Sequence, residues 1–418
     1  MIEAGEFIST GTCELPYLLS GEIKNYEDII FFNSESFERE KGVKVLTSHL
    51  VEKIDRKKKF LTVKHLKKNE KFELPYFKLI LCTGSIALPI PEFPVELENV
   101  FSIKSVKNLL SLKAYLSKYN CKKVLIIGSG YIGLETADAF KKLGFEITIV
   151  EKEKLPMPAL ENETRALLYE LLKQNRIEFI GNNSELRIKH DGKKFLSIKL
   201  DGRHTDFDLV IVSAGVEPNS KLALTSKLAL GKFGGVQVDN RLKTNDPNIY
   251  AAGDCIEIIN CVTGRPDYFP LATIAQLTGH IAGENAAGGT ALTRPFVKNI
   301  AVKLFGKSLV AVGLNSYEAK KYYYKFSEAH AVLPNLVKVM PNSENIFGKI
   351  IYETESKKIL GASFLGNSEV IGYADLISSF ITNKIKAVQL SEINYSYTPP
   401  LSPFINLLSV LGRKIGSN

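Results

Sequence analysis

The stretch KVLIIGSGYIGLETADAFKKLGFEITIVE, Lys123 to Glu151, decides the fold. Val124 to Ile127 is an unbroken aliphatic run, the pattern of a strand covered on both faces. From Tyr131 to Leu143 the apolar residues Ile132, Ala137 and Phe140 fall on one face of a helix, Gly144 follows as its cap, and Phe145 to Val150 reads as the next strand. This is a complete βαβ unit. Gly128, Gly130 and Gly133 stand at GxGxxG spacing between its first strand and its helix. A lone glycine triplet is weak, but in this context it is specific: Gly128 permits the tight turn, Gly130 lets a pyrophosphate approach, and Gly133 lets helix and strand pack closely. The helix N-terminus adds unpaired N–H groups for the anion. Glu151 closes the second strand where an acidic residue hydrogen-bonds an adenosine ribose 2′-OH, which favours NADH over NADPH, although Lys152 beside it tempers that choice.

The chain around this unit has 418 residues, 45% hydrophobic and 24% charged, a globular composition long enough for two or three domains. No apolar run reaches the ~18 to 20 residues of a membrane-spanning helix. MIEAGEFIST has no secretory pattern, so the expected location is the cytoplasm. Five cysteines, Cys13, Cys82, Cys121, Cys255 and Cys261, are odd in number, scattered and without a CxxC pair, which argues against a disulfide scaffold and gives no metal site. A net charge of +9 comes from small separate groups such as Lys57 to Lys59, a solvated basic surface rather than a nucleic-acid stripe.

Two other segments end alike. Leu79 to Ser85, LILCTGS, and Leu209 to Gly215, LVIVSAG, are hydrophobic strands stopped by small-residue turns, and suggest two related nucleotide-binding domains. Thr83 and Gly84 in the first turn and Gly215 in the second are candidate cofactor contacts. The first hundred and last hundred and twenty residues mix strands, turns and single helices.

With these motifs the chain resembles the single-cysteine branch of the pyridine nucleotide-disulfide oxidoreductases, which holds coenzyme A-disulfide reductases, NADH oxidases, NADH peroxidases and persulfide reductases. The resemblance rests on EAGEFISTGTCELPYLLSG from Glu3, CTGS from Cys82, GSGYIGLE from Gly128, TNDPNIYAAGDC from Thr244, PLATIAQLTGHIAGENAAGG from Pro270 and YTPPLSP from Tyr397, in family order over nearly the whole chain. It implies an α/β fold of two Rossmann-like FAD/NAD(P)-binding domains, the first incomplete, followed by a C-terminal α+β dimerisation domain. The implied ranges are 1–95 with 232–298 for FAD, 96–231 for NAD(P)H and 299–418 for dimerisation. Family members open with a strand, a GxGxxG turn, a helix and a second strand ending in a glutamate. Glu3 matches that glutamate, so the first βα unit, ~30 residues, which would hold the flavin pyrophosphate, lies outside the match and leaves an unfilled central place in the sheet.

The resemblance assigns Asp254, after Gly253 in the AAGD turn, to the flavin ribityl chain, and points a helix beginning near Pro270, Leu271 and Ala272 at the flavin ring. Tyr131 is placed to gate the nicotinamide pocket, with Glu135 one turn on. Cys13 matches the family's redox-active cysteine, but Thr12 and Glu14 replace a usual asparagine and glycine, and Glu14 would raise the thiol pKa if the two approach. No second cysteine stands four or five residues away, so the oxidised sulfur must come from outside: a coenzyme A disulfide, a persulfide, or an oxygen species giving a sulfenic acid. Tyr397, reaching over from a partner subunit, is the proton donor the resemblance suggests; a turn role explains it equally well. His280 matches a basic residue facing a phosphate-bearing substrate only weakly. Cys82, at a buried strand end, and Cys121, Cys255 and Cys261 read as structural. The implied enzyme is a homodimer using FAD and NADH, without membrane or nucleic-acid partners. It reduces a coenzyme A disulfide or persulfide, the alternatives being an NADH oxidase or peroxidase and a silent NADH-binding remnant. No rhodanese-like segment follows YTPPLSP, which argues against a built-in sulfurtransferase.

Overall fold

The computed structural model describes residues 1–94, 96–200 and 202–417. Its centre is a parallel five-stranded sheet in the order Val100–Phe101, Leu209–Val212, Lys123–Ile127, Glu146–Val150, Glu178–Ile180. Successive strand residues point to opposite faces, so an uninterrupted aliphatic run serves two cores at once. Val124 and Ile126 pack with the helices Val106–Lys118, Tyr131–Lys142 and Asn162–Gln174, through Leu109, Leu134, Phe140 and Leu168. Leu125 and Ile127 face the other way, against Phe195, Ile198 and Leu200 of a three-stranded antiparallel sheet, Ile188–His190, Phe195–Leu200 and Arg203–Asp206. The βαβ unit forms as its sequence implies, with Leu143 capping the helix and Gly144 following at φ 82°.

The twin turns meet. Ser85–Ala87 pairs antiparallel with Val216–Pro218, and this two-stranded ribbon joins the turn after Leu79–Leu81 to the turn after Leu209–Val212. Leu79–Leu81 runs parallel to Ile249–Ala251 and pairs with no other strand among the described residues. Ile2 bridges Leu46 in parallel, with the Glu3 N–H donating to the Leu46 carbonyl at 2.9 Å. Beside them lies the antiparallel meander His49–Asp55, Phe60–His65, Glu70–Pro75.

The last 120 residues form a five-stranded antiparallel sheet in the order Asn299–Leu304, Lys307–Gly313, Ile359–Gly366, Asn345–Glu353, Phe326–Pro334. Helices Glu369–Thr382 and Leu407–Ser417 cover it through Ile377, Leu407, Leu408 and Leu411, which pack with Ile350 and Phe364.

One buried cation fastens this sheet to the parallel half. Lys349, 2% exposed, pairs with Glu161 at 3.0 Å, Glu163 at 3.0 Å and Glu328 at 2.7 Å. Burial alone would lower its pKa, but the bonds to Glu328, Glu163 and Glu161 outweigh burial and hold it well above the usual lysine value. Glu161, itself 4% exposed, also accepts from the Ser316 hydroxyl at 2.7 Å. Breaking a buried pair from one side strands the other charge. Lys349→Met is therefore expected to lower unfolding free energy in urea by about 3 to 5 kcal/mol, with part of the loss recovered when Glu161→Gln is added.

Candidate active site

Strand, turn and helix place the three glycines differently. Gly128 has φ 96°, and a Cβ there would lie 2.6 Å from the Ser213 carbonyl oxygen; a Cβ on Gly133 would lie 2.2 Å from the Gly128 carbonyl oxygen. These two are demanded by packing. A Cβ on Gly130 would meet nothing within 4 Å. Its lack of a side chain is not needed by the protein itself, and it caps the helix Tyr131–Lys142 without any side-chain acceptor for the first N–H groups. Such an open, uncapped turn fits a pyrophosphate. Glu151, 6% exposed, accepts from the Ser129 N–H at 2.9 Å and the Ser129 hydroxyl at 2.7 Å, so loop and strand-end carboxylate form one unit. Lys152 points to solvent. Gly215, at φ 116°, turns the chain into the ribbon.

A second group of residues gathers at the other turn. The Thr83 hydroxyl donates to the Asn219 carbonyl at 2.6 Å, and the Asn219 amide returns a bond to the Thr83 carbonyl at 3.1 Å. Gly84, at φ 68°, has open space where a side chain would be. The Gly253 N–H donates to the Thr278 hydroxyl at 3.1 Å, which ties the AAGD turn to the helix Ala272–Ala286. That helix follows Pro270, has Leu271 as its N-cap, and carries no side-chain cap. Asp254 accepts from the Ser85 hydroxyl at 3.0 Å, Lys104 stands 3.9 Å from the same carboxylate, and the Tyr268 hydroxyl donates to the Asp254 carbonyl at 3.1 Å. A ribityl chain and ring fit this aspartate, open glycine and free helix end. Glu3 lies apart, accepting from the Gly5 N–H at 2.6 Å, and among the described residues it shares no hydrogen bond with the Asp254 group.

Cys13 stands in the turn before the short helix Leu15–Ser20, which packs on the helix Tyr131–Lys142 through Leu15, Leu18, Leu134 and Ala137. Its surface is open to water, yet the protein around it makes desolvation the first cause of a raised thiol pKa, followed by Glu14, Glu135 and Asp254; Lys104 acts in the opposite direction. The effect of Glu14 has the sign its sequence position implies. Glu135 belongs to the glycine-loop helix and Asp254 to the other cradle, so the thiol feels charges from both. Burial, then Asp138, pushes Glu135 up to about 7. Burial, then Glu318, pushes the Tyr131 phenol well above its ordinary value.

The structure corrects one expectation. Cys82 is exposed, because the strand ends at Leu81 and the chain leaves the sheet one residue earlier than burial requires. Protein on its other sides still desolvates the thiol, which with Cys255 nearby is pushed up to about 11. His280 is exposed on its helix. Tyr397, 47% exposed, rests edge-on against Phe404 with ring centres 5.2 Å apart, and no side-chain bond joins it to Cys13 within the chain among the described residues. Ser129, Asn219, Tyr268 and Lys104 were not singled out by sequence; only Ser129, inside the glycine motif, carried a signal there.

Residues 1–279 match the pyridine nucleotide-disulphide oxidoreductase family and residues 301–403 match its dimerisation domain. The chain belongs to this family. An NADH oxidase of Methanocaldococcus jannaschii is 30% identical over 397 residues, 94% of this chain and 88% of its own. A coenzyme A disulfide reductase of Staphylococcus haemolyticus is 26% identical over 415 residues, covering 99% and 92%. The solved NAD-dependent persulfide reductase of A. fulgidus superposes with a TM-score of 0.95 at 28% identity, over 100% of this chain and 77% of that one. The protein is thus an oxidoreductase of the FAD and pyridine-nucleotide class. No helix among the described residues is long and apolar enough to cross a membrane, and no His, Cys, Asp and Glu cluster suited to a metal ion occurs among them.

The glycines separate folding from binding. Gly133→Ala is expected to destabilise the fold by about 1 to 3 kcal/mol, whereas Gly130→Ala should leave the unfolding midpoint unchanged and weaken NADH binding, read by fluorescence titration. Glu135 gives a pH signature. The folded chain holds its proton up to about 7 while the unfolded chain releases it near 4.5, so ionising it costs stability as pH rises through that window. Glu135→Gln should stabilise by roughly 1 to 3 kcal/mol at pH 8 and be neutral at pH 4, measured by urea unfolding at both values.

Proposed function

We propose that the protein reduces a small disulfide or persulfide, of the coenzyme A disulfide type, with electrons from NADH, using FAD and the single thiol of Cys13. The observation that supports this most is the placing of Cys13: it stands open to water in the turn before a helix docked on the glycine-loop helix, and no second cysteine is near in sequence. Relatives named for coenzyme A disulfide and persulfide reduction agree with an external sulfur acceptor.

Residues 1–95 with 232–298 serve as the flavin domain, 96–231 as the NADH domain and 299–418 as the dimer-forming domain. Gly130 and the uncapped helix receive the pyrophosphate of NADH, Gly128 and Gly133 hold the turn, Gly215 closes the adjoining turn, and Glu151 takes the ribose, favouring NADH over NADPH. Tyr131 and Glu135 line the nicotinamide pocket. Asp254 with Gly253, Thr83, Gly84 and the start of the helix after Pro270, Leu271 and Ala272 holds the flavin, with Glu3 at its adenosine end. Bound there, the cofactors supply hydride and electron-pair transfer. The chain supplies the sulfur chemistry. The Cys13 thiolate attacks one sulfur of R–S–S–R, a Cys13–S–S–R bond forms, the original S–S bond breaks and R–S⁻ leaves. Per turnover one NADH and one proton are consumed, and NAD⁺ and two thiols are released.

Tyr397 is the proposed proton donor to the leaving thiolate. It sits on an exposed apolar segment with Leu401, Phe404 and Ile405, a surface suited to a second copy of the chain, and the matched dimerisation domain supports a homodimer. Five free thiols suit a reducing compartment such as the cytoplasm. A second reading, NADH oxidase activity with an oxygen species oxidising Cys13, is favoured by the relative from Methanocaldococcus jannaschii.

Cys13→Ser tests the assignment. It is expected to lower disulfide turnover by roughly a thousandfold or more while NADH still bleaches the bound flavin. Turnover at the wild-type rate would make the thiol structural. Comparing kcat/KM for coenzyme A disulfide and for oxygen then decides between the two readings.

A further inference from the structure

Lys104 lies in none of the motifs, between the strand Val100–Phe101 and the helix Val106–Lys118. Its backbone is held tightly. Ile103 and Val106 on either side are 5% and 2% exposed, and Ser105 caps the helix by accepting from the Asn108 N–H at 3.2 Å. Anchored in this way, the Lys104 side chain crosses to the other cradle. Its ammonium donates to the Ser85 hydroxyl at 2.7 Å, Ser85 donates to Asp254 at 3.0 Å, and the ammonium stands 3.9 Å from the same carboxylate oxygen. A cation fixed on the parallel-sheet half thus orients the aspartate of the flavin half.

The electrostatics around Cys13 give this contact a second use. The charged groups acting on the thiol are Glu14 on its own turn, Glu135 on the glycine-loop helix, Asp254 on the AAGD turn and Lys104. Burial comes first among the causes that hold the thiol up, and the three carboxylates add to it. Like charges close together oppose ionisation, and a nearby cation restores it.

We propose that Lys104 is a positioning residue for this site: through Ser85 it sets the Asp254 carboxylate, and its charge partly offsets that of Asp254 and the other acidic groups toward Cys13. The inference rests on the proposed role of Cys13, and deepens it. It assigns the cation that partly offsets the burial and the carboxylates which together hold this thiol above its ordinary value.

The test follows the rate of Cys13 alkylation by iodoacetamide against pH, resolved from the other cysteines by peptide mass spectrometry, in the flavin-loaded protein. Lys104→Met should move the midpoint upward by about one pH unit, and Lys104→Arg should return it to the wild-type position. FAD titration by fluorescence should show weaker binding for Lys104→Met and recovery with arginine, since Asp254 loses its support. A midpoint that stays put in Lys104→Met overturns the proposal. If that variant fails to fold, Lys104→Arg and Ser85→Ala decide: arginine must keep the midpoint and FAD affinity, Ser85→Ala must weaken FAD binding, and any other pattern overturns it. An unmoved midpoint together with Cys13-dependent turnover removes only the lysine, whereas turnover independent of Cys13 removes the functional reading itself.

Discussion

The antiparallel ribbon of Ser85–Ala87 and Val216–Pro218 is the constraint on which the site depends. Each of its strands leaves a small-residue turn at the end of a parallel strand, so pairing them fixes the two turns relative to each other through backbone hydrogen bonds rather than side chains. A backbone ladder tolerates little slippage, because a one-residue shift would reverse every side chain in it. Ser85 reaches Asp254 and Lys104 from this ribbon, and Thr83 is locked to Asn219 just beyond it. Cys13 is positioned by a short helix, Leu15–Ser20, which docks on the glycine-loop helix.

Much of this was legible in the sequence for physical reasons that can be named. A strand buried on both faces has to be aliphatic throughout, and Val124 to Ile127 is. A turn that brings a helix start onto a strand end leaves no room for a Cβ at Gly128 or Gly133, so the glycines mark it. The similar endings of LILCTGS and LVIVSAG reflected two equivalent turns, although their direct pairing could not be seen, since register between segments 130 residues apart in sequence is set by tertiary packing. The exposure of Cys82 was missed for a related reason: an apolar strand pattern does not say at which residue the chain leaves the sheet.

The polar links were the least legible part. Lys104 in FSIKS looks like any surface lysine, and its role comes from the rigid anchoring of its neighbours and the approach of Ser85 from a separate element. The bond from Ser129 to Glu151 joins two motif residues that sequence treats as independent, and it ties the strand-end carboxylate to the glycine loop. Patterns report periodicity and backbone shape well; they do not report which charges meet across a domain boundary.

The Lys349 cluster has a consequence for motion. Rotating the antiparallel sheet away from the parallel half would part a buried ammonium from Glu161 and Glu163 and leave each without compensation in a poorly solvated place, so hinge opening between these two bodies is strongly disfavoured. The antiparallel sheet and the helix Asn162–Gln174 therefore move as one block, their relative orientation fixed by charge as well as by apolar packing.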